Sequence, residues 1–201
     1  MTYYRRTRIG NTFFFTLVTY HRRPILCHPT IRLSLRHAID DVRKTRPFSI
    51  DGWVLMPDHL HCIWTLPADD SDFSTRWSLV KRSVSRFSPD VALDSELRNA
   101  SARKHRESTI WQRRFWEHLI RDDLDFERHL DYIHYNPVRH GYATRAVDWP
   151  HSTIHRYVRD GVYPVDWAGG ADPDWGDFEL SAVCGRYAWA RGAHPTDWHE
   201  R

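Results

Sequence analysis

His59 and His61 flank a single leucine, and much later in the chain Tyr132 and Asn136 stand four residues apart. Residues two apart share a face on a strand, and residues four apart share one on a helix. Two elements could thus bring all four side chains to one place. Neutral imidazoles bind several divalent cations, and the amide oxygen of Asn136 is a suitable third donor. A phenol with a pKa of about 10 attacks phosphorus only with help from a base or a cation. These are the parts of a metal-assisted tyrosine nucleophile. With 14 histidines in 201 residues, a His-x-His arises by chance about once, so the motif draws its meaning from its placement. It opens a strand directly after the tight turn at Pro57-Asp58. Tyr135 competes with Tyr132, and their helical spacing keeps them from occupying one spot.

Residues 12–20 predict a strand with both faces apolar, hence central in a sheet. From Thr30 to Lys44, Ile31, Leu35, Ala38, Ile39 and Val42 follow the helical period. Residues 48–56 and 59–66 predict a hairpin. On its second strand Leu60, Cys62, Trp64 and Leu66 face one way, and His59, His61, Ile63 and Thr65 the other. Over 73–87 Phe73, Trp77, Val80, Val84 and Phe87 form a helical apolar stripe, with Arg76, Lys81, Arg82 and Arg86 turned away from it. Residues 89–107 read as an irregular loop, and Ile110 to Trp116 as a fourth strand. Asp122 or Asp123 caps a helix whose buried stripe is Phe126, Leu130 and Ile133. Pro137 limits that helix, and Tyr132 sits off its buried centre. The order predicts an α+β fold, a ferredoxin-like split βαβ antiparallel sheet with an extra C-terminal catalytic helix and an irregular tail. Residues 1–137 would be the catalytic domain, and 138–201 an aromatic-rich extension.

The chain is 41% hydrophobic with ten Trp, nine Tyr and nine Phe, enough for a real core. No apolar run has the length of a membrane span, and the opening MTYYRRTRIG lacks a hydrophobic signal region. Cys27, Cys62 and Cys184 are too scattered for a disulfide framework or a zinc knuckle, which fits a reducing cytoplasm. The net charge of +3 divides into +7 over residues 1–160 and −4 over 161–201. A basic body suits a polyanion. Basic and aromatic residues alternate at Tyr3–Arg6, Tyr20–Arg23 and Arg113–Trp116, a pattern suited to holding phosphates while stacking unpaired bases. The candidate DNA-binding residues are Arg5, Arg6, Arg8, Arg22, Arg23, Arg82, Arg86, Arg113 and Arg114. Asp166, Asp172, Asp174, Asp177 and Glu179 form an acidic tail that would compete with DNA for that surface, or simply keep the chain soluble.

Several separated motifs recur in order: Tyr4-Arg5-Arg6 with the strand to Tyr20, the segment Trp53 to Trp64 containing Met-Pro-Asp-His-Leu-His, Trp111 to His118, His129 to Gly141, and Trp149-Pro-His-Ser152. In these the chain resembles the REP-associated tyrosine transposases, domesticated relatives of the single-tyrosine HUH transposases. The resemblance runs over roughly residues 3–167. It implies a metal site at His59 and His61 that Asn136 completes, and Tyr132 rather than Tyr135 as nucleophile. It implies cutting and rejoining of single-stranded DNA at hairpins of repetitive extragenic palindromes, through a 5′-phosphotyrosine, with Mg²⁺ or Mn²⁺. It also implies a nucleoid-associated monomer, with a dimer as the alternative. A binding module that has lost its chemistry and regulates such repeats is the competing reading, and retention of His59, His61 and Tyr132 speaks against it.

Overall fold

The computed structural model describes residues 11–92 and 108–169. Its first strand, β1 (Thr12–Val18), carries TFFFTLV and is buried at every position. Helix α1 (Pro29–Thr45) follows, then the hairpin of β2 (Ser49–Leu55) and β3 (His59–Thr65). Next come α2 (Phe73–Phe87), the single turn α3 (Pro89–Ala92), β4 (Trp116–Leu119) and α4 (Asp123–Arg139). A short helix, α5 (Ile154–Arg159), comes last among the described elements. The sheet order is β2-β3-β1-β4 with every neighbouring pair antiparallel, which is the ferredoxin-like arrangement.

The alternation of β1 and β3 divides the interior in two. Phe13, Phe15, Leu17, Leu60, Cys62 and Trp64 pack on one face beneath α1 and α2. Phe14, Val54 and Ile63 point the other way, where they meet Phe126, Leu130, Tyr132 and Ile133 of α4. A strand apolar on both sides must lie inside a sheet covered on both sides. Gly52 lets α4 come close, because a Cβ there would stand 2.9 Å from Leu130 Cδ1 and 3.1 Å from Ile133 Cδ1. Ala146, Ile154 and Tyr163 join the α4 layer. The chain after α4 also lies along the outer edge of β2, where Leu55 N–H donates to His151 O at 2.9 Å and Thr153 N–H donates to Trp53 O at 2.9 Å.

Four local expectations are corrected. The fourth strand is Trp116–Leu119 rather than Ile110 to Trp116. Ile110 and Trp111 are apolar because they plug the core beneath α2, and Trp111 makes only an isolated bridge to Thr19. Helix α4 runs through Pro137 to Arg139. Tyr132 is 2% exposed, inside the core rather than beside it. Arg76 is 1% exposed. Its guanidinium grips Asp70 at 2.7 and 3.1 Å and caps the carbonyls of Arg46 and Pro47 just after α1.

Candidate active site

β3 begins with its two histidines on the α4 side of the sheet, opposite the Leu60, Cys62 and Trp64 face. The His59 and His61 rings lie 4.9 Å apart, centre to centre. Each ring is fixed through Nδ1. His61 Nδ1 stands 2.8 Å from Thr16 Oγ1, its register partner on β1. His59 Nδ1 stands 2.6 Å from Asp58 Oδ1. A carboxylate can only accept, so Nδ1 of His59 carries the proton there. Asp58 is itself anchored, because its backbone carbonyl accepts from both Thr19 N–H and Thr19 Oγ1 at 2.9 Å. Burial pushes the Asp58 carboxyl up, but the hydrogen bond and charge of His59, followed by Arg22, outweigh it and hold the group at about 2. Complete burial, then the neighbouring charges of His59, His140, Arg139 and Arg22, keep His61 well below its ordinary value. It is therefore neutral, the form that binds cations.

Helix α4 supplies the other wall. Asp122 caps it, its side chain accepting from Asp125 N–H at 2.8 Å. Tyr132, Asn136 and His140 then recur at helical spacing along the face that meets β3. The Tyr132 ring lies 5.1 Å from the His61 ring. Asn136 Oδ1 lies 3.1 Å from His59 Nε2. The His140 ring lies 5.4 Å from that of His59. Burial, and after it the charges of His59 and Arg139, push the His140 imidazole down to about 3. The Arg139 guanidinium stands 5.9 Å over the Tyr132 ring.

The facing atoms of His59 and Asn136 bear on a metal. With Nδ1–H given to Asp58, His59 turns its Nε2 toward the amide oxygen of Asn136. Nε2 and Oδ1 stand 3.1 Å apart, the two atoms through which this pair would hold a cation. In the same orientation Asn136 Nδ2 is buried with no hydrogen-bond partner. Turning the amide over would let Nδ2 donate to the same nitrogen, so the two residues stay end to end either way. Two imidazole nitrogens with carboxylate and hydroxyl supports behind them, plus an amide oxygen, are a donor set that fits a divalent cation.

The predicted arginines divide. Arg5, Arg6 and Arg8 lie outside the described residues, as do Asp172, Asp174, Asp177 and Glu179 of the acidic tail. Arg22 pairs with Asp58 at 2.6 Å. Arg23 reaches the carbonyls of Val91 and Thr109 at 3.4 and 3.3 Å. Arg82 and Arg86 are exposed, but on a helix covering the opposite face of the sheet from His59 and His61. Arg113 and Arg114 are exposed on the segment before β4. Lys81, held down to about 8 by burial, ties that segment to α2 by donating to the carbonyls of Gln112 and Arg113 at 2.6 and 3.2 Å.

A second cluster escaped the reading from sequence. His118, Asp125 and His129 bring one potential ligand atom each within 4.8 Å of one another, a possible metal-binding group. Asp125 Oδ2 takes His118 Nε2 at 2.8 Å together with the backbone N–H and Nε of Arg121, each at 3.0 Å. His129 Nδ1 lies 3.2 Å from the other carboxylate oxygen and 2.7 Å from Asp125 O. A carboxylate oxygen that already accepts three donors, one from a guanidinium, has little room for a cation. The cluster acts as a hub joining β4 to α4. Its one sequence signal is the i,i+4 spacing of Asp125 and His129.

No family model matches the chain. A curated REP-associated tyrosine transposase of Escherichia coli is 46% identical over 170 residues, covering 84% of this chain and 92% of its own. A second curated relative, from Haemophilus influenzae, is 41% identical over 173 residues, covering 86% and 96%. A solved REP-associated tyrosine transposase bound to a REP hairpin superposes with a TM-score of 0.65 at 43% identity, covering 88% of this chain and 98% of that one.

Proposed function

This chain belongs to the REP-associated tyrosine transposases, and we propose on that premise that it nicks and rejoins single-stranded DNA at palindromic hairpins, with Tyr132 as nucleophile. The observation that carries the reading is the Tyr132 ring at 5.1 Å from His61 while Asn136 of the same helix meets His59 at 3.1 Å. The hairpin bound to the structural relative supports the substrate class. Among the described residues no helix is long and apolar enough to cross a membrane.

The Tyr132 oxygen bonds to phosphorus as the bond from phosphorus to the 3′-oxygen breaks. The proton leaving the phenol is balanced by one gained at the departing 3′-oxygen. A 5′-phosphotyrosine keeps the energy of the phosphodiester, so a 3′-hydroxyl can attack it, free the phenol and reseal the strand. His59, His61 and Asn136 would hold a divalent cation, Mg²⁺ or Mn²⁺. When bound, that ion polarises the scissile phosphate and stabilises its developing charge. Asp58 and Thr16 keep both rings turned so that Nε2 is the ligating atom. Arg139, exposed and poised over the nucleophile's ring, would exchange that ring for a phosphate oxygen as the strand enters.

The test is a labelled single-stranded hairpin incubated with the protein and Mn²⁺, resolved under denaturing conditions. A covalent protein–DNA band should form with the wild type and Tyr135→Phe and vanish with Tyr132→Phe. A band lost only with Tyr135→Phe would reassign the nucleophile. A wild-type chain that binds the hairpin yet never forms a band would be the silent regulator instead.

A further inference from the structure

Arg22 sits in a backbone conformation that its side chain alone does not explain. It ends a single 3₁₀ turn, Tyr20–Arg22, and both His21 and Arg22 have positive φ, 51° and 54°. Such values are uncommon for residues other than glycine, and two in succession persist only where the surroundings over-determine them. The surroundings here include the backbone of the turn, where Arg22 N–H donates to Thr19 O at 3.0 Å, and the Arg22 side chain itself. Arg22 Nη1 meets Asp58 Oδ2 at 2.6 Å, while Asp58 Oδ1 meets His59 Nδ1 at 2.6 Å. Thr19, one residue before the turn, grips the Asp58 backbone through N–H and Oγ1, both at 2.9 Å. The Asp58 side chain is 18% exposed and that of His59 is 4% exposed, so the chain of contacts runs inward from the surface. It ends at His59 Nε2, facing Asn136.

We propose that Arg22 is a positioning residue for the cation site. By holding Oδ2 of Asp58 it leaves Oδ1 aimed at His59 Nδ1, which fixes the ring so that Nε2 points at Asn136. Arg22 is then no DNA anchor. Its fork is turned onto a carboxylate, and the left-handed pair exists to aim it there. The proposal rests on the reading that His59, His61 and Asn136 bind a divalent cation, and the experiment separates the two.

Mn²⁺ binding to the full chain without DNA is followed by electron paramagnetic resonance of the free ion. His59→Ala with His61→Ala tests the underlying reading, because unchanged binding there would remove the cation site itself. Given that control, Arg22→Gln should weaken Mn²⁺ about tenfold and Asp58→Asn by about 10- to 100-fold, the range for supports behind metal ligands. Arg22→Lys, which keeps a cation beside Oδ2, should recover most of the loss. Metal-free hairpin binding by Arg22→Gln should keep the wild-type slope of log affinity against log salt. The proposal is overturned if Arg22→Gln binds Mn²⁺ within twofold of wild type, or if Arg22→Lys binds it no better than Arg22→Gln. A salt slope reduced by about 0.7 to 0.9, the signature of one lost phosphate contact, would overturn it too. Should Arg22→Gln fail to fold, the Arg22→Lys and Asp58→Asn affinities decide, and wild-type values for both refute the assignment.

Discussion

Replacing Asp125 by asparagine should unfasten helix α4 from β4 without changing the shape of the side chain. The carboxylate is 4% exposed and accepts from His118 Nε2 at 2.8 Å, from the N–H and Nε of Arg121 at 3.0 Å, and faces His129 Nδ1 at 3.2 Å. An amide keeps one acceptor oxygen and turns an NH₂ toward donors. Hydrogen bonds to a charged group contribute about 1.5–3 kcal/mol each. The Arg121 side chain is 72% exposed, so its share is close to nothing. The two imidazole contacts, from buried His129 and half-buried His118, then set a loss of about 3 kcal/mol. That corresponds to about 9 °C in Tm for a chain of this size. Acid gives a second handle. Burial raises the Asp125 carboxyl, but the hydrogen bonds of His129, Arg121 and His118 hold it far below the usual carboxylate range. A depressed folded-state pKa contributes stability that is complete above the unfolded value of about 3.9 and is lost as pH falls below it. Between pH 5 and pH 3 the gap between wild type and Asp125→Asn should narrow by about 1.2 kcal/mol. Urea unfolding at the two pH values measures both numbers. A loss under 1 kcal/mol at pH 5, or a gap that does not narrow, would refute the hub.

Asp131 should behave in the opposite sense. Burial raises its carboxyl to about 6, against a hydrogen bond from the Tyr163 hydroxyl and with a further push from Glu127. A raised folded-state value destabilises the fold as pH climbs from the unfolded pKa through about 6. Asp131→Asn should therefore stabilise the protein at pH 7.5, by about 3 kcal/mol, and much less at pH 4, as read by denaturant unfolding at each pH. Arg76→Lys should cost about 2–3 kcal/mol, because a lysine keeps the charge but cannot serve Asp70 and the carbonyls of Arg46 and Pro47 in one plane. A Tm within 2 °C of wild type would argue against that bidentate role.

What could be read from the chain followed from periodicity. The TFFFTLV run required a covered central strand, and the alternation of β3 put both histidines on the side away from Leu60 and Trp64. The four-residue spacing of Tyr132 and Asn136 survived because it depends only on helix geometry. The misplaced strand shows the limit. Ile110 and Trp111 look like a strand but fill a hole from a loop, whereas WEHL is short, has two polar residues at its centre and gives little signal. Pro137 did not end α4, since a proline two residues from a helix end sacrifices a single backbone hydrogen bond. Arg76 looked solvent-facing because nothing local reveals that its fork reaches the carbonyls of Arg46 and Pro47 beyond the end of α1. The supports behind the histidines, Thr16, Thr19 and Arg22, come from β1 and the turn after it, and only the antiparallel pairing of β1 with β3 brings them near.

The strip of chain at His151–Thr153 lying along β2 has a bearing on self-association. It occupies the hydrogen-bonding groups that a neighbouring sheet would need, so that margin is closed to strand addition from another molecule. Among the described strands this leaves β4, four residues long, as the one open margin. Two copies that met there would have used up the one open margin that the described strands offer. Growth by extension through the described strands would then stop at a pair rather than propagate into a fibre.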